Sequence, residues 1–402
     1  MYDAMQFNRA ISHKIIQYLK IFPCVGITGP RQVGKTTLVQ MLTDSFGKEA
    51  IYLDLESDED QMKLSAPELY FNERKDNLII IDEIQRNPAL FILLRSVVDR
   101  YRVKGRFILL GSASPELLAQ SSETLAGRIG YIELAPFMFE EVKSHYTINQ
   151  LWLRGGFPEA LIQDSDETSF KVRLQFVQSY VERELAILGL NVSAIRLKNL
   201  LRMITHLQGQ LLNYSQLAGS LGVDVSTLKR YLDFFENAYI IRRLEPQMAN
   251  LKKRLVKSPK IFIRDTGMLH ALASIADKES LDGYAGKGSS WESFVIQQII
   301  SRLKDHISVS FYRTQDGTEL DLVLSKGMKP VAGIEIKLSN APNITRGTTI
   351  ASNDLGGIPI FVVTHSVAED YSLNEQVTIT SFERVFLHLE RLQVLEEVGN
   401  QL

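Results

Sequence analysis

The feature that most constrains this chain is a short apolar run, followed by a glycine-rich loop and then by an amphipathic helix. The apolar run covers Cys24–Thr28, and the helix begins close to Lys35. The loop between them fits the pattern G-x-x-x-x-G-K-[ST] at every position. The residues of the loop and the helix start are Gly29, Pro30, Arg31, Gln32, Val33, Gly34, Lys35, Thr36 and Thr37.

This loop has the composition of a phosphate-binding loop, or P-loop. Gly29 and Gly34 let the backbone curl, so that successive N–H groups converge on phosphate oxygens. The helix that follows adds the positive end of its dipole. We expect Lys35 to reach the β- and γ-phosphates of a nucleotide and the Thr36 hydroxyl to ligate Mg²⁺. A chance glycine turn before a helix is the weaker alternative, because strand, loop and helix occur in the required order.

Further apolar runs alternate with helical segments in the first third of the chain. They are Ile51–Leu55, Leu78–Ile81, Phe107–Leu110 and Tyr131–Leu134. Continuous apolar runs are typical of strands that are covered on both faces, as in a parallel sheet with helices on each side. The pattern stops near Pro136, so residues 1–136 are predicted to form an α/β P-loop domain.

Two adjacent acids, Asp82 and Glu83, end the run Leu78–Ile81. An apolar strand that leads into two acids is the Walker B arrangement of nucleotide hydrolases. Asp82 is expected to hold a magnesium-bound water, and Glu83 to polarise the attacking water as a general base. An exposed acidic strand end is the alternative interpretation.

Three more polar residues are candidates for contact with the γ-phosphate. Ser112 and Ser114 follow the run Phe107–Leu110, and either can sense the γ-phosphate or cap a turn. Arg128 can supply positive charge to the transition state, in cis or from a neighbouring subunit. The second role requires an oligomer, which the sequence leaves open.

These motifs and several later ones resemble the AAA-type P-loop ATPases of bacteria and archaea that carry a C-terminal domain of unassigned function. The matching segments are Gly29–Thr37, Ile81–Gln85, Gly111–Ser114, Leu125–Arg128, Leu134–Phe137, Gly155–Glu159 and Tyr180–Arg183. The resemblance implies that the nucleotide is ATP and its metal Mg²⁺. It also implies a sheet in which the Walker B strand is not adjacent to the P-loop strand. Ser112 lies where such enzymes often carry asparagine.

The middle of the chain is predicted to contain a helical lid at residues 137–195 and a winged helix-turn-helix at residues 196–260. Asn213 and Asp224 are in capping positions of two short helices, which Gly222 separates. A strand at Tyr239–Leu244 follows the second helix and completes the winged-helix pattern. The apolar residues expected to face inward are Leu217, Leu221, Leu228, Tyr231, Leu232 and Phe235.

The second of these helices is of the kind that fits a DNA major groove. Segment 242–260 adds a basic cluster of Arg242, Arg243, Lys252, Lys253, Arg254, Lys257 and Lys260. Because the whole chain has a formal net charge of −2, only a local cluster of this kind can attract nucleic acid. The competing interpretation is a protein-contact module with solvated basic residues, so nucleic acid and protein both stay open as partners.

Residues 261–402 are predicted to form a small α/β domain. Asp321 opens one of its strands, and Glu335 and Lys337 close the next, so a hairpin brings the two acids together. With Glu292 on the preceding helix they can bind Mg²⁺ and activate water against a phosphodiester. This order of residues resembles restriction-endonuclease-like domains. A solvated strand pair, or a docking domain without cleavage, are the alternatives.

The composition also bears on the cellular compartment in which the chain is expected. The single cysteine, Cys24, excludes an internal disulfide framework and is typical of a reducing cytoplasm. We find neither a signal-peptide pattern nor an apolar stretch of about 20 residues that could span a membrane. Three hypotheses follow for a cytoplasmic protein: an ATPase that acts on nucleic acid, a regulatory nucleotide switch, and an ATP-dependent nuclease.

Overall fold

The structure is a computed structural model, and it describes residues 7–114, 125–180, 192–247, 255–340, 342 and 346–397. Its first part is a five-stranded sheet with the strand order β2-β3-β4-β1-β5. The strands are β1 (Cys24–Thr28), β2 (Ala50–Asp54), β3 (Leu78–Asp82), β4 (Phe107–Gly111) and β5 (Ile129–Glu133). The pairings among them are parallel. The predicted parallel sheet is confirmed, and β4 separates β1 from β3.

Helices cover both faces of this sheet. They are α1 (Ser12–Ile21), α2 (Lys35–Met41), α3 (Asp58–Lys63), α4 (Pro67–Glu73) and α5 (Ala89–Tyr101). On one face Ile79 packs in a core with Leu94, and on the other Ile27 packs in a core with Leu38. Side chains alternate between the faces of a strand, so continuous apolar strands supply both cores.

The middle of the chain is mainly helical and ends in a strand pair. Its elements are α6 (Phe139–Val142), α7 (Ile148–Arg154), α8 (Pro158–Leu161), α9 (Asp166–Ser179), α10 (Ala194–His206), α11 (Tyr214–Leu221), α12 (Val225–Asn237), β6 (Ile241–Leu244) and β7 (Lys260–Ile263). Side chains of Asn213 and Asp224 cap α11 and α12, accepting from the N–H groups of Gln216 and Thr227. Because β6 pairs antiparallel with β7, the predicted boundary after residue 260 falls inside a hairpin.

The C-terminal part is a six-stranded mixed sheet with the order β12-β13-β11-β10-β9-β8. Its strands are β8 (Ile307–Arg313), β9 (Glu319–Lys326), β10 (Lys329–Ile336), β11 (Ile360–Thr364), β12 (Tyr371–Ser372) and β13 (Val377–Ser381). Its helices are α13 (Thr266–Leu272), α14 (Lys278–Asp282), α15 (Lys287–Ile300), α16 (Arg346–Asp354) and α17 (Phe382–Arg391). The expected hairpin is present, because β9 pairs antiparallel with β10. The sequence did not predict β12 and β13.

Part of the predicted lid packs into the C-terminal core. The indole rings of Trp152 and Trp291 lie 5.1 Å apart, and Trp152 Nε1 donates to Ser290 Oγ at 3.0 Å. Leu151 and Leu161 belong to the same buried cluster. Helices α7 and α8 are therefore joined to the C-terminal sheet by a shared apolar core.

Candidate functional site

The loop after β1 has a backbone conformation that explains its two glycines. Gly29 has φ 149° and Gly34 has φ 92°, and both values favour glycine. A Cβ atom at Gly29 would lie 2.3 Å from the carbonyl oxygen of Leu134. Gln32 also has a positive φ, 60°, which is a strained conformation of the kind that functional loops retain. The loop thus curls over the first turn of α2.

Lys35 begins α2, and its ammonium group lies inside this loop. Its Nζ donates to the carbonyl oxygens of Gly29 at 3.1 Å and Pro30 at 3.0 Å, and to Ser112 Oγ at 3.2 Å. The residue is 6% exposed, and burial lowers its pKa to about 8. Since these acceptors are neutral, a phosphate group in the loop would stabilise the charged form.

A hydroxyl and a carboxylate meet beside Lys35. Thr36 Oγ1 donates to Asp82 Oδ2 at 2.5 Å. Asp82 ends β3, whose carboxyl end lies at the same edge of the parallel sheet as that of β1. Oxygen ligands of these two types suit Mg²⁺, so the two side chains expected to hold a magnesium ion are in contact here.

Tyr52 is a member of this site that the sequence analysis missed. Its Oη donates to Asp82 Oδ2 at 2.7 Å, which fixes the carboxylate from the side opposite the P-loop strand. The parallel register pairs Tyr52 with Ile80. Because alternate residues of a strand share a face, that register puts Tyr52 and Asp82 on one face. The sequence shows a tyrosine in the apolar run Ile51–Leu55, but its contact with Asp82 follows only from the register of the two strands.

Glu83 lies next to these groups in a left-handed backbone conformation, with φ 54°. Ser112 Oγ donates to Glu83 Oε1 at 3.3 Å, and the Gln85 side chain donates to the other carboxylate oxygen. Burial raises the pKa of Glu83, which makes it a stronger proton acceptor when ionised. Ser112 thus contacts both Glu83 and Lys35, whereas Ser114 lies farther along the chain.

Arg128 is not brought to the P-loop of its own chain. Its carbonyl oxygen accepts from Cys24 N at 3.1 Å, at the start of β1. The P-loop follows the other end of this five-residue strand, roughly 15 Å away at the usual rise of a strand. The Arg128 guanidinium pairs with Asp99 at 2.6 and 2.8 Å. The role in cis is therefore not supported, and only the role from a neighbouring subunit is left.

Two contacts join the nucleotide site to the middle of the chain. Tyr239 Oη donates to Thr28 Oγ1 at 2.8 Å in a buried position, and Thr28 directly precedes Gly29. Ser114 donates through its N–H to Asn237 O at 2.8 Å and through its Oγ to Asn237 Oδ1 at 3.0 Å. Asn237 is the last residue of α12. The end of β1 and the segment after the neighbouring strand β4 are thus tied to the last residue of α12 and to Tyr239, two residues beyond it.

Two of the predicted C-terminal acids, Glu292 and Asp321, lie beside a lysine together with Glu319. Lys260 Nζ lies 3.1 Å from Glu292 Oε1, 2.7 Å from Glu319 Oε1 and 3.2 Å from Asp321 Oδ1. Its side chain is only 3% exposed. Asp321 is held in place by the N–H of Ile336, which donates to Asp321 Oδ2 at 2.8 Å. A buried ammonium group thus lies among these carboxylates.

The carboxylates of the expected second magnesium site are divided between two lysines. Glu335 pairs with Lys337 at 2.6 Å, while Glu292 and Asp321 share Lys260. In the part of the chain that the structure describes, no group of three or more His, Cys, Asp or Glu side chains is placed to hold a metal ion. The residues present therefore do not fit a metal well, because the ammonium group of Lys260 lies between Glu292 and Asp321 and competes with a metal ion for them.

The basic segment 242–260 also differs from the expectation. Lys260 is buried, Arg242 Nη2 donates to Gln297 Oε1 at 3.4 Å, and the Arg243 guanidinium pairs with Asp233 at 2.7 Å. Lys257 is exposed. Outside the described residues lie Lys252, Lys253, Arg254 and most of the Tyr180–Arg183 motif. Of the predicted basic cluster, the described part of this segment therefore leaves Lys257 exposed, while Lys260 is buried and Arg242 and Arg243 bond to neighbouring side chains.

Two of the C-terminal acids, Glu292 and Glu335, make the stability of the fold sensitive to pH, because burial and the charge of Asp321 act on their pKa values. Burial and this charge raise the pKa of Glu292 to about 8 and that of Glu335 to about 7, from an ordinary 4.5. Raised values mean that the folded chain holds these protons more tightly, so their stabilisation is full below about pH 4.5 and is lost as pH rises through 7 and 8. We expect the urea midpoint of the intact chain to fall between about pH 5.5 and about pH 8, and Glu335→Gln to flatten this fall.

Exposed Glu383 provides the control for that measurement. Glu383→Gln should leave the slope of the urea midpoint against pH as it is in the parent chain. An equal slope in Glu335→Gln and the parent would contradict the assignment of the pH dependence to this cluster.

Family models match three consecutive parts of the chain. Residues 22–143 match the model described as an AAA domain. Residues 145–279 and 287–385 match two domains of unknown function, DUF8612 and DUF4143. The parallel sheet, the P-loop and the AAA match together define an AAA-type P-loop ATPase domain. Among the described residues, no helix combines the length and apolar character needed to cross a bilayer.

Relatives extend over most of the chain. The uncharacterized protein Rv2008c of Mycobacterium tuberculosis is 41% identical over 335 residues, which cover 83% of this chain and 74% of that protein. The chain therefore belongs to the same protein family as Rv2008c. An uncharacterized protein of Haemophilus influenzae is 24% identical over 300 residues, covering 65% of this chain and 70% of that protein. The Walker-type ATPase PABY2304 of Pyrococcus abyssi superposes with a TM-score of 0.45 and 17% identity, over 65% of this chain and 94% of that chain.

Proposed function

We propose that this protein hydrolyses ATP with Mg²⁺ and transmits the state of its nucleotide to helix α12. The observation that carries the proposal is the contact of Ser112 with both Lys35 and Glu83. It connects the group expected to hold the γ-phosphate with the group expected to act on water.

Each side chain has a distinct task in this proposal. Lys35 binds the β- and γ-phosphate oxygens, and the Thr36 hydroxyl and Asp82 hold the magnesium ion. Mg²⁺ supplies charge neutralisation at the β- and γ-phosphate oxygens when it is bound. Glu83 orients the attacking water and accepts its proton. Ser112 positions Glu83 relative to Lys35 by hydrogen bonds to both.

Hydrolysis is tested by the release of phosphate from ATP in the presence of Mg²⁺. The parent chain should release phosphate, and Glu83→Gln should bind ATP without releasing it. If the parent chain binds ATP but releases no phosphate with Mg²⁺, hydrolysis is contradicted, and a nucleotide-dependent switch is the function that is left.

Transmission to α12 is supported by the hydrogen bonds of Thr28 and Ser114. Thr28 lies directly before the P-loop, and Ser114 lies two residues after Ser112. A movement of either segment on nucleotide binding changes the environment of Asn237 and Tyr239, because these contacts are buried or partly buried. Order and position of a neighbouring element are what nucleotide switches commonly control.

The variant Tyr239→Phe tests this coupling. It removes the hydrogen bond to Thr28, which is worth about 1 kcal/mol, and keeps the aromatic ring. In the parent chain, a non-hydrolysable ATP analogue should change the amide hydrogen exchange of α12. In Tyr239→Phe that change should shrink by about half or more, while the affinity for the analogue stays within about threefold.

The matched control is Tyr371→Phe, at a tyrosine that is exposed on the C-terminal sheet. Its α12 response to the analogue should equal that of the parent chain. An undiminished response in Tyr239→Phe would mean that the Thr28 contact does not carry the signal.

The partner of α12 is a separate question. Lys229 and Arg230 are exposed on this helix, and they are the described basic residues that favour nucleic acid there. The nuclease alternative has less support, because a lysine occupies the place that a catalytic metal would need. We therefore infer that any action on nucleic acid is binding rather than cleavage, and a cleavage assay with Mg²⁺ or Mn²⁺ on single- and double-stranded DNA and RNA tests this.

A further inference from the structure

A cavity of about 480 Å³ lies where the three parts of the chain meet. Its walls come from α1, from the end of β5, from the β6–β7 region and from the segment that follows α15. The volume is in the range of sites for small molecules. The cavity is separate from the P-loop, since Gly29–Thr37 are absent from its lining.

Three arginines form part of its wall: Arg242, Arg264 and Arg302. Arg264 and Arg302 are more than nine-tenths buried. The Nε atom of each of the three is buried and has no hydrogen-bond partner within the described residues. A buried N–H group without a partner is costly, so an acceptor supplied by a ligand would be favourable at this wall.

The partners of the terminal Nη atoms show which of the three arginines are paired with a carboxylate. Arg264 pairs with Glu133, and Arg302 Nη2 lies 2.9 Å from Glu390 Oε1. Arg242 instead donates to the neutral amide of Gln297. Burial and the nearby charge of Arg264 lower the pKa of Arg242 to about 9. The guanidinium groups of Arg242 and Arg264 thus repel each other, and an anion between them would relieve the repulsion.

Other charges face the same space. The basic side chains are Lys14, Lys304 and the three arginines, and the acidic ones are Glu133, Asp305, Glu396 and Glu397. Three of these acids are already engaged, because Glu133 pairs with Arg264, and Lys14 Nζ lies 2.6 Å from Asp305 Oδ1 and 3.0 Å from Glu396 Oε1. Among the three arginines, Arg242 is therefore the one whose recorded side-chain partner is neutral.

We propose that this cavity binds a small phosphorylated anion through the guanidinium groups of Arg242, Arg264 and Arg302. Guanidinium N–H groups form paired hydrogen bonds with phosphate oxygens and do so better than ammonium groups. Such a ligand would contact the ATPase sheet, the β6–β7 hairpin and the C-terminal domain together. It would therefore stabilise one relative arrangement of these parts.

The test uses the full chain with Lys35→Ala, which removes the P-loop lysine as a competing phosphate site. Inorganic pyrophosphate is titrated into this protein by calorimetry at low salt. We expect saturable binding, weakened about tenfold or more by Arg242→Gln in the same background. Lys171→Gln, at an exposed lysine on α9, should leave the affinity unchanged.

Thermal unfolding gives a second measurement that does not depend on calorimetry. Pyrophosphate should raise the unfolding midpoint of the Lys35→Ala chain more than sodium chloride of equal ionic strength. Without the anion, Arg242→Gln should unfold no earlier than its parent, because a like-charge repulsion is removed. A purely structural arginine would give the opposite result.

Three outcomes would overturn the proposal. They are no binding of pyrophosphate to the Lys35→Ala chain, equal affinity with and without Arg242→Gln, and equal midpoints in pyrophosphate and chloride. If Arg242→Gln does not fold, Arg302→Gln takes its place, and the titration of the Lys35→Ala chain is still decisive.

Discussion

Replacement of Lys35 by alanine should lower the affinity for ATP by about 100-fold, because hydrogen bonds from a charged group to phosphate are lost. The ammonium group lies inside the loop and donates to neutral acceptors. Its pKa is lowered by burial, so the chain without nucleotide gains little from this charge. The variant should therefore unfold at the same temperature as the parent, or higher, when nucleotide is absent.

The measurement is equilibrium binding of a fluorescent ATP analogue, with thermal unfolding as the test of folding. Lys20→Ala is the matched control, since Lys20 is exposed near the end of α1 and should leave the affinity unchanged. If Lys35→Ala binds ATP as tightly as the parent chain, the assignment of the P-loop is wrong.

Replacement of Glu83 by glutamine should leave ATP binding within about threefold of the parent and reduce phosphate release by about 100-fold or more. An amide keeps the shape of the side chain and accepts a hydrogen bond from Ser112, but it takes up no proton. Binding should therefore survive, because Lys35, Thr36 and Asp82 are unchanged. Single-turnover phosphate release and analogue binding, measured on the same preparation, separate the two effects.

Glu56→Gln is the control for this variant. Glu56 lies near the same loop, 2.8 Å from Arg31 Nη2 and 2.6 Å from Arg86 Nη2, but it has no role assigned in the chemistry. It should keep most of the phosphate release. Unchanged turnover in Glu83→Gln would exclude Glu83 as the general base.

The parallel sheet could be predicted because the sequence patterns that indicate it lie within short segments of the chain. Each strand is a continuous apolar run, and the P-loop pattern lies between a strand and a helix in a fixed order. The caps of α11 and α12 could be predicted for the same reason, since Asn213 and Asp224 contact residues three positions along the chain. Such short-range signals do not depend on how distant segments meet.

The errors concern long-range contacts. The sequence places Lys260 in a basic cluster, but β7 carries it among Glu292 and Asp321, which are 32 and 61 positions away. Tyr52 and Tyr239 were missed because their partners lie in other strands. Composition of a segment shows that it is basic, but which of its residues become buried is decided by the packing of distant elements.

The position of Lys260 has a consequence for anyone who studies the C-terminal half in isolation. A fragment cut at the boundary suggested by the sequence, beginning at residue 261, would lack this ammonium group and one side of a strand pair. Glu292 and Asp321 would then be left without their neutralising neighbour and could recruit a divalent cation from solution. Metal binding by such a truncated protein would result from the loss of Lys260 and would not show that the intact protein binds metal.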